Sequence, residues 1–431
     1  ARCRRGGLAA ATSVGAGDLS ALTAASIASL GDPKTIREVW NALRPAQREK
    51  LTSADPLVIG NLDGIPLRDR VTANRISIQN EIARRRSEVD DLQKQIDELS
   101  AHPTRGSSAL ISVLRARIAE HETYVSSYQD LLEKKWEWKD ENRQPVSQVG
   151  VNVVVFDPTS SAIGSYYGPI DPQTGDIPAW VKHTAVSVPG TGANMADFSE
   201  SRAQDLYLAS GYDSAVFQWA GGAFPQTIPE ATQASYSEKL APRLASFVDS
   251  VNVPSGATMT VLGHSYGGAT VGLAEKAGMH ADRILYVSAA GMGRGVAGVE
   301  DFPNTAHVPH YSMMARHDAV VGLIQGNNGD WNAIHGQSPL NAPSVTRLET
   351  GFVDASDHGK GDMESTGVID SHSKVFTRGS TSFDNMVAVI TGSQAELFAP
   401  DDLVNTYSGA GPVFIDGVDS PDYSPHYIEV K

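Results

Sequence analysis

Apolar residues follow two regimes along the chain, and the change between them falls near residue 145. From Asp32 to about Trp138 they recur at helical spacing. Ile82, Val89 and Ile96 form one row, with Leu92 and Leu99 interleaved. After a break at His102-Pro103-Thr104-Arg105-Gly106, Ile111, Leu114, Ile118, Val125, Tyr128 and Leu132 continue the pattern, and His121 fills one seam position. Two amphipathic segments around a Pro/Gly break predict an antiparallel helical hairpin over about residues 76–135. Asp32-Pro33 ahead of Thr35 to Leu43 predicts a capped helix with proline in its first turn. Ile59 to Pro66 reads as apolar chain with turns at Gly60-Asn61 and Asp63-Gly64 that packs onto the remainder. Residues 1–30, rich in Ala, Ser and Gly, read as loosely ordered or marginally helical.

Beyond Arg143-Gln144-Pro145 the pattern becomes short β-branched runs. Val149 to Phe156, Thr184 to Val188, Ala215 to Trp219, Thr258 to Leu262, Ile284 to Val287, His310 to Ala315 and Val345 to Phe352 are strand candidates. Ser235 to Val251, Ala269 to Ala277 and Phe383 to Ile390 are helix candidates between or after them. Strands apolar along their whole length, alternating with helices, predict an α/β fold with a mostly parallel sheet covered on both faces. The expected division is an N-terminal helical region, 1–145, and a catalytic domain, 146–431.

Bulk properties narrow the function classes. At 431 residues a large core is available, and a net charge of −15 argues against nucleic acid or an anionic membrane as the main partner. No apolar run is long enough to span a bilayer. Cys3 is the single cysteine, which excludes an intrachain disulfide and a thiolate metal cluster. Arg2, Arg4 and Arg5 before Gly6-Gly7-Leu8 read either as the stump of a longer chain or as a targeting remnant, so the compartment, cytoplasmic or secreted, stays open.

The candidate chemistry centres on Gly263-His264-Ser265-Tyr266-Gly267. It follows the strand Thr258 to Leu262 and opens a helix of small residues, the strand–turn–helix context of a nucleophile elbow. Ser265 is the candidate nucleophile, and the N–H of Tyr266 is a candidate oxyanion donor. In hydrolases of this kind the acid and the histidine follow the nucleophile in chain order. Asp318, just past the strand ending at Ala315, is the candidate acid, with Asp301 and Asp330 as rivals. The histidine must come later, among His358, His372 and His426; His372 is the candidate base and His358 the alternative. His264 is expected to pack beside the nucleophile. Val188-Pro189-Gly190-Thr191-Gly192 follows an early strand and supplies Thr191 N–H as the second oxyanion donor. A phosphate cradle is the competing reading of these glycines, but no full nucleotide fingerprint accompanies them.

Val188-Pro189-Gly190-Thr191-Gly192, Gly263-His264-Ser265-Tyr266-Gly267, Ala315-x-x-Asp318 and a late His-Ser, in this order, resemble an actinobacterial α/β-hydrolase family of largely unassigned substrate. The stretch Ile59 to Pro66 with Arg70 and Asn74 resembles that family's helical lead-in. The likeness runs over roughly 35–395. It implies an α/β-hydrolase fold and a serine hydrolase with Ser265, Asp318 and His372 as triad. The expected activity is cleavage of carboxylic esters, small or lipid-like, through an acyl-enzyme, with no metal or organic cofactor. The competing expectations are a lipase- or phospholipase-like secreted effector and a non-catalytic interaction protein on the same fold. The hairpin is expected to be an arm packing on itself and the body, with a lid or a homo-oligomer contact as the functional alternatives.

Overall fold

The computed structural model describes residues 22–316, 318, 320, 332–353, 371–405, 412–415, 417–420 and 422–431. Four short helices come first: α1 (Ala24–Ala28), α2 (Pro33–Ala42), α3 (Pro45–Ala54) and α4 (Pro56–Asn61). Asp32 caps α2 through Thr35 N–H at 2.8 Å, with Pro33 in the first turn, as its sequence predicts. Two long helices follow, α5 (Leu67–Ala101) and α6 (Ser107–Glu133), packed as an antiparallel hairpin. Its outer half closes on a small apolar cluster of Leu92, Ile96 and Leu114 flanked by Leu99, Ile111 and Ile118. Nearer the body the seam turns polar: buried Glu81 accepts from Arg85 Nε at 2.8 Å, and Arg85 reaches His121 Nδ1 at 3.4 Å.

The helical pattern stops earlier than its periodicity predicts. Lys135–Lys139 is a strand, β1, paired antiparallel with β2 (Pro145–Val149), so Trp138 and Val149 belong to a hairpin and not to helix or sheet core. The alternation Lys135-Trp136-Glu137-Trp138-Lys139 is the period-2 signal, with buried Trp136 edge-on to Tyr167, ring centroids 4.9 Å apart.

The main sheet has eight strands: β3 (Asn152–Asp157), β4 (Ala162–Tyr167), β5 (His183–Val188), β6 (Ser214–Gly221), β7 (Thr258–His264), β8 (Arg283–Val287), β9 (His310–Met313) and β10 (Val345–Arg347). Their order is β10-β9-β8-β7-β5-β6-β4-β3, parallel from β10 to β6 and antiparallel from β6 to β3. The strands expected at His310 to Ala315 and Val345 to Phe352 are shorter, because both chains leave the sheet toward the site loops. Helices α7 (Glu200–Ser210), α8 (Ser235–Ser250), α9 (Tyr266–Lys276) and α10 (Thr381–Thr391) cover the sheet. Adjacent residues of β6 show the two faces. Phe217 and Trp219 meet Phe247 of α8, while Gln218 between them donates to the Phe198 carbonyl at 3.2 Å on the side of α7.

The helical region closes the exposed edge of β3 with side chains. Asn61 lies against Phe156 like one residue of an added strand: it accepts from Phe156 N–H at 2.7 Å and donates to Phe156 O at 2.8 Å. Arg70 Nε donates to Val154 O at 2.9 Å, and Asn74 Nδ2 to Val153 O at 3.1 Å. An open edge invites further strand pairing, and here its polar groups are occupied. Gly60-Asn61 is therefore the last turn of α4 and not a free turn. A Cβ on Gly60 would stand 2.0 Å from Asn74 Oδ1, so glycine is what lets α4 approach α5. Leu67, Ile78, Ile82, Tyr128 and Leu131 of the hairpin share one apolar core with the sheet.

Candidate active site

The elbow sits at the carboxyl end of β7, in the parallel part of the sheet. Ser265 has φ 54° and ψ −122°, a conformation costly for a residue with a Cβ. Three backbone hydrogen bonds hold it there. Its N–H donates to Val287 O at 2.9 Å, and its carbonyl accepts from Gly268 at 3.0 Å and Ala290 at 2.9 Å. The turn is pressed against the end of β5: a Cβ on Gly267 would lie 2.5 Å from Val188 O. Gly190 lies against Ser265 itself, since a Cβ there would stand 2.6 Å from Ser265 Cβ and 3.1 Å from its Oγ.

The loops after β9 and before α10 bring in the other two candidates. Asp318 is buried, and its Oδ2 accepts from His372 Nδ1 at 2.7 Å. Its Oδ1 accepts from the Val320 N–H at 3.0 Å, so both carboxylate oxygens are engaged. His372 lies in the short helix Ser371–Lys374 and is nearly buried, at 8% exposure. With Nδ1–H donated to a carboxylate, the ring leaves Nε2 as its acceptor. Ser265, His372, Gly190 and Thr191 line one cavity of about 340 Å³, with Pro189, Ala193, Ile228 and Val320 as apolar wall.

Tyr266 is the first residue of α9, so its N–H has no upstream helical carbonyl to bond. Its side chain points away into the core, where the hydroxyl donates to Gln233 O. Thr191 lines the cavity, and its Oγ1 is buried with no partner among the described residues.

Two of the rival residues, Asp301 and His426, fall elsewhere. Asp301 is exposed and accepts from its own loop's Ala297 N–H at 2.7 Å. His426 is exposed beside the C-terminal strands, its carbonyl bonded to Leu397 N–H at 2.8 Å. Asp330 and His358 lie outside the described residues.

His264 packs beside Ser265 as expected, with an added role that the sequence did not expose. It is buried; its Nε2 is 2.9 Å from the His372 carbonyl, and its Nδ1 is 3.2 Å from Arg202 Nη1. A guanidinium can only donate, so Nδ1 accepts and Nε2–H donates to His372 O. Burial, reinforced by the charge of Arg202, pushes the His264 imidazole well below its ordinary value, keeping it neutral. The residue before Ser265 thereby tethers the backbone of the candidate base. Arg202, near the start of α7, also lies over the Phe376 ring at 4.3 Å and lines the cavity. No nearby motif marks it in the sequence; only its place in the fold does.

Among the described residues no group of three or more His, Cys, Asp or Glu side chains could hold a metal ion, and no helix is long and apolar enough to cross a membrane.

An alpha/beta hydrolase family model matches residues 175–323, a span that runs from the approach to β5 through Thr191, Ser265 and Asp318. The fold is that of an α/β-hydrolase. Two uncharacterized proteins of Mycobacterium tuberculosis, MT2140 of strain CDC 1551 and Rv2079 of strain H37Rv, are each 26% identical over 279 residues. The match takes in 58% of this chain and 38% of theirs, so this chain corresponds to well under half of those relatives. Dienelactone hydrolase from Anabaena variabilis is similar at a TM-score of 0.29 and 13% identity, over 50% of this chain and 85% of that one.

Proposed function

We propose that this α/β-hydrolase cleaves carboxylic esters through a serine acyl-enzyme, with Ser265 as nucleophile, His372 as base and Asp318 as orienting acid. The observation that carries the reading is the buried 2.7 Å bond between His372 Nδ1 and Asp318 Oδ2, made across 54 residues of chain beside a strained serine. In this scheme His372 Nε2 takes the Ser265 proton as Oγ attacks the carbonyl carbon. Asp318 fixes the tautomer and stabilises the imidazolium that results. The N–H groups of Tyr266 and Thr191 receive the developing oxyanion, a contribution of about 10²–10³ in rate per donor in related machinery. His372 then protonates the leaving alkoxide, and water attacks the acyl-serine by the same path in reverse. No step requires a metal or an organic cofactor. In the same scheme the chain divides at residue 145 into helices that seal a sheet edge and a catalytic body.

The test is a series of 4-nitrophenyl esters of rising acyl length, run on wild type, Ser265→Ala, His372→Ala and His358→Ala. Hydrolysis by wild type, its loss by orders of magnitude in the first two variants, and near-normal rates in the third are expected. Loss in His358→Ala with retention in His372→Ala would move the base to His358. No hydrolysis by folded wild type would favour a non-catalytic protein on this fold.

A further inference from the structure

We propose that Arg202 is an anion-binding residue of the candidate active site and that the preferred substrates are esters bearing a carboxylate. The inference rests on the hydrolase reading above and names its substrate class. Among the described residues Arg202 reaches one hydrogen-bond partner, the neutral His264 Nδ1 at 3.2 Å, and stacks over Phe376 at 4.3 Å. Neither supplies negative charge. Asp197 attracts Arg202 through space and also lines the cavity, but no ion pair joins the two, and Asp197 Oδ1 accepts from Ser199 N–H at 3.3 Å. The cavity's other titratable members are His264 and His372, and Asp318 is already held by His372.

A half-buried guanidinium with no carboxylate bonded to it among the described residues is a costly arrangement. Burial here pushes it down to about 10, still cationic at neutral pH. A histidine needs no arginine to hold one lone pair; a backbone N–H or a hydroxyl would do the same without burying charge. What arginine adds is a planar fork of donors, and Arg202 lines the cavity while one of its nitrogens meets His264. A planar carboxylate fits that fork in two parallel hydrogen bonds. Because Arg202 touches the residue adjoining Ser265, the anion would sit close to the scissile bond, which calls for a short spacer between carboxylate and ester. The anion's source is the acyl side or the leaving-group side.

Two substrate pairs separate these sources: mono-4-nitrophenyl adipate against 4-nitrophenyl hexanoate, and 4-acetoxybenzoate against its methyl ester. Wild type is expected to show kcat/KM at least tenfold higher for the charged member of one pair. Arg202→Gln is expected to bring that ratio to about one, and Arg202→Lys to keep part of it. If Arg202 only positions His264, both members of each pair fall together and the ratio is unchanged, which would overturn the proposal. Should Arg202→Gln not fold, wild type alone decides. Adipate should slow fluorophosphonate labelling of Ser265 whereas 1,6-hexanediol should not, and equal rates would count against the anion site. Labelling and hydrolysis without any charge preference overturn this inference alone. Absence of both overturns the hydrolase reading and the inference with it.

Discussion

Gly190→Ala tests how tightly the loop after β5 is fitted to Ser265, the proposed nucleophile. The added methyl would stand 2.6 Å from Ser265 Cβ and 3.1 Å from both Ser265 Oγ and the His264 carbonyl. Carbon–carbon contacts settle at about 3.5–4.0 Å, so the first gap must open by about 1 Å. Ser265 cannot yield easily, because three backbone hydrogen bonds of 2.9–3.0 Å fix it to Val287, Gly268 and Ala290. The movement therefore falls on the loop, which is itself held by Gly192 N–H to Pro225 O at 2.8 Å. Thr191, the proposed second oxyanion donor, moves with it. A misplacement of ~1 Å in a catalytic group costs about 10²-fold in rate. Overpacking adds about 1–3 kcal/mol of destabilisation, a fall of a few degrees in melting temperature for a chain of this size. Steady-state kinetics on 4-nitrophenyl butyrate, with a thermal melt of the same preparation, measures both. The expected result is kcat down about a hundredfold with KM changed far less and a protein still folded at assay temperature. Activity within threefold of wild type would refute the argument, because the loop could then give way without disturbing the site.

Asp318→Asn should keep the fold and lose about 10³–10⁴ in kcat, since the amide no longer fixes the Nδ1–H tautomer of His372; kinetics with circular dichroism checks this. Buried His264 and His335 both have imidazoles held below their ordinary value of 6.5, so the unfolded chain takes up protons that the folded one refuses. Their folded-state advantage is complete above ~6.5 and is lost as pH falls below it, by up to about 1.4 kcal/mol per pH unit for each. Melting temperature should therefore drop between pH ~6.5 and ~5, with a smaller drop in His264→Asn; a flat profile would contradict this. Replacing the 102–106 connection by a short Gly/Ser turn should leave the melt and small-ester hydrolysis unchanged, because Leu92, Ile96 and Leu114 of the outer hairpin form an apolar cluster separate from the main core among the described residues. Unfolding of that variant would place the tip in the core, and a change confined to bulky esters would make the hairpin a lid.

Local patterns carried the elements whose signal is contiguous. The run from Thr258 through Gly268 holds strand, turn and helix start within a few residues, and the capped helix at Asp32-Pro33 is equally self-contained. The alternation around Trp136 and Trp138 was hidden, because β1 adjoins a long helix and its charged outer positions continue the helix's polar face. At Gly60-Asn61 turn-forming residues serve a different end: glycine admits the Asn74 side chain, and Asn61 pairs with Phe156, a partner 95 residues away. The candidate site divides in the same way. Ser265, Gly190 and Asp318 stand at strand ends that the chain itself announces. Arg202 lies in Glu200-Ser201-Arg202-Ala203, an ordinary amphipathic helix start, and gains its meaning only from a neighbour 62 residues on.

The most direct measurement of the central claim is reaction of the purified chain with a fluorophosphonate, followed by peptide mapping of the adduct. The account predicts one stoichiometric adduct, on Ser265, formed by wild type and absent from Ser265→Ala, with labelling slowed by orders of magnitude in His372→Ala. A folded wild-type protein that takes up no label, or that carries it on a serine other than Ser265, would contradict it.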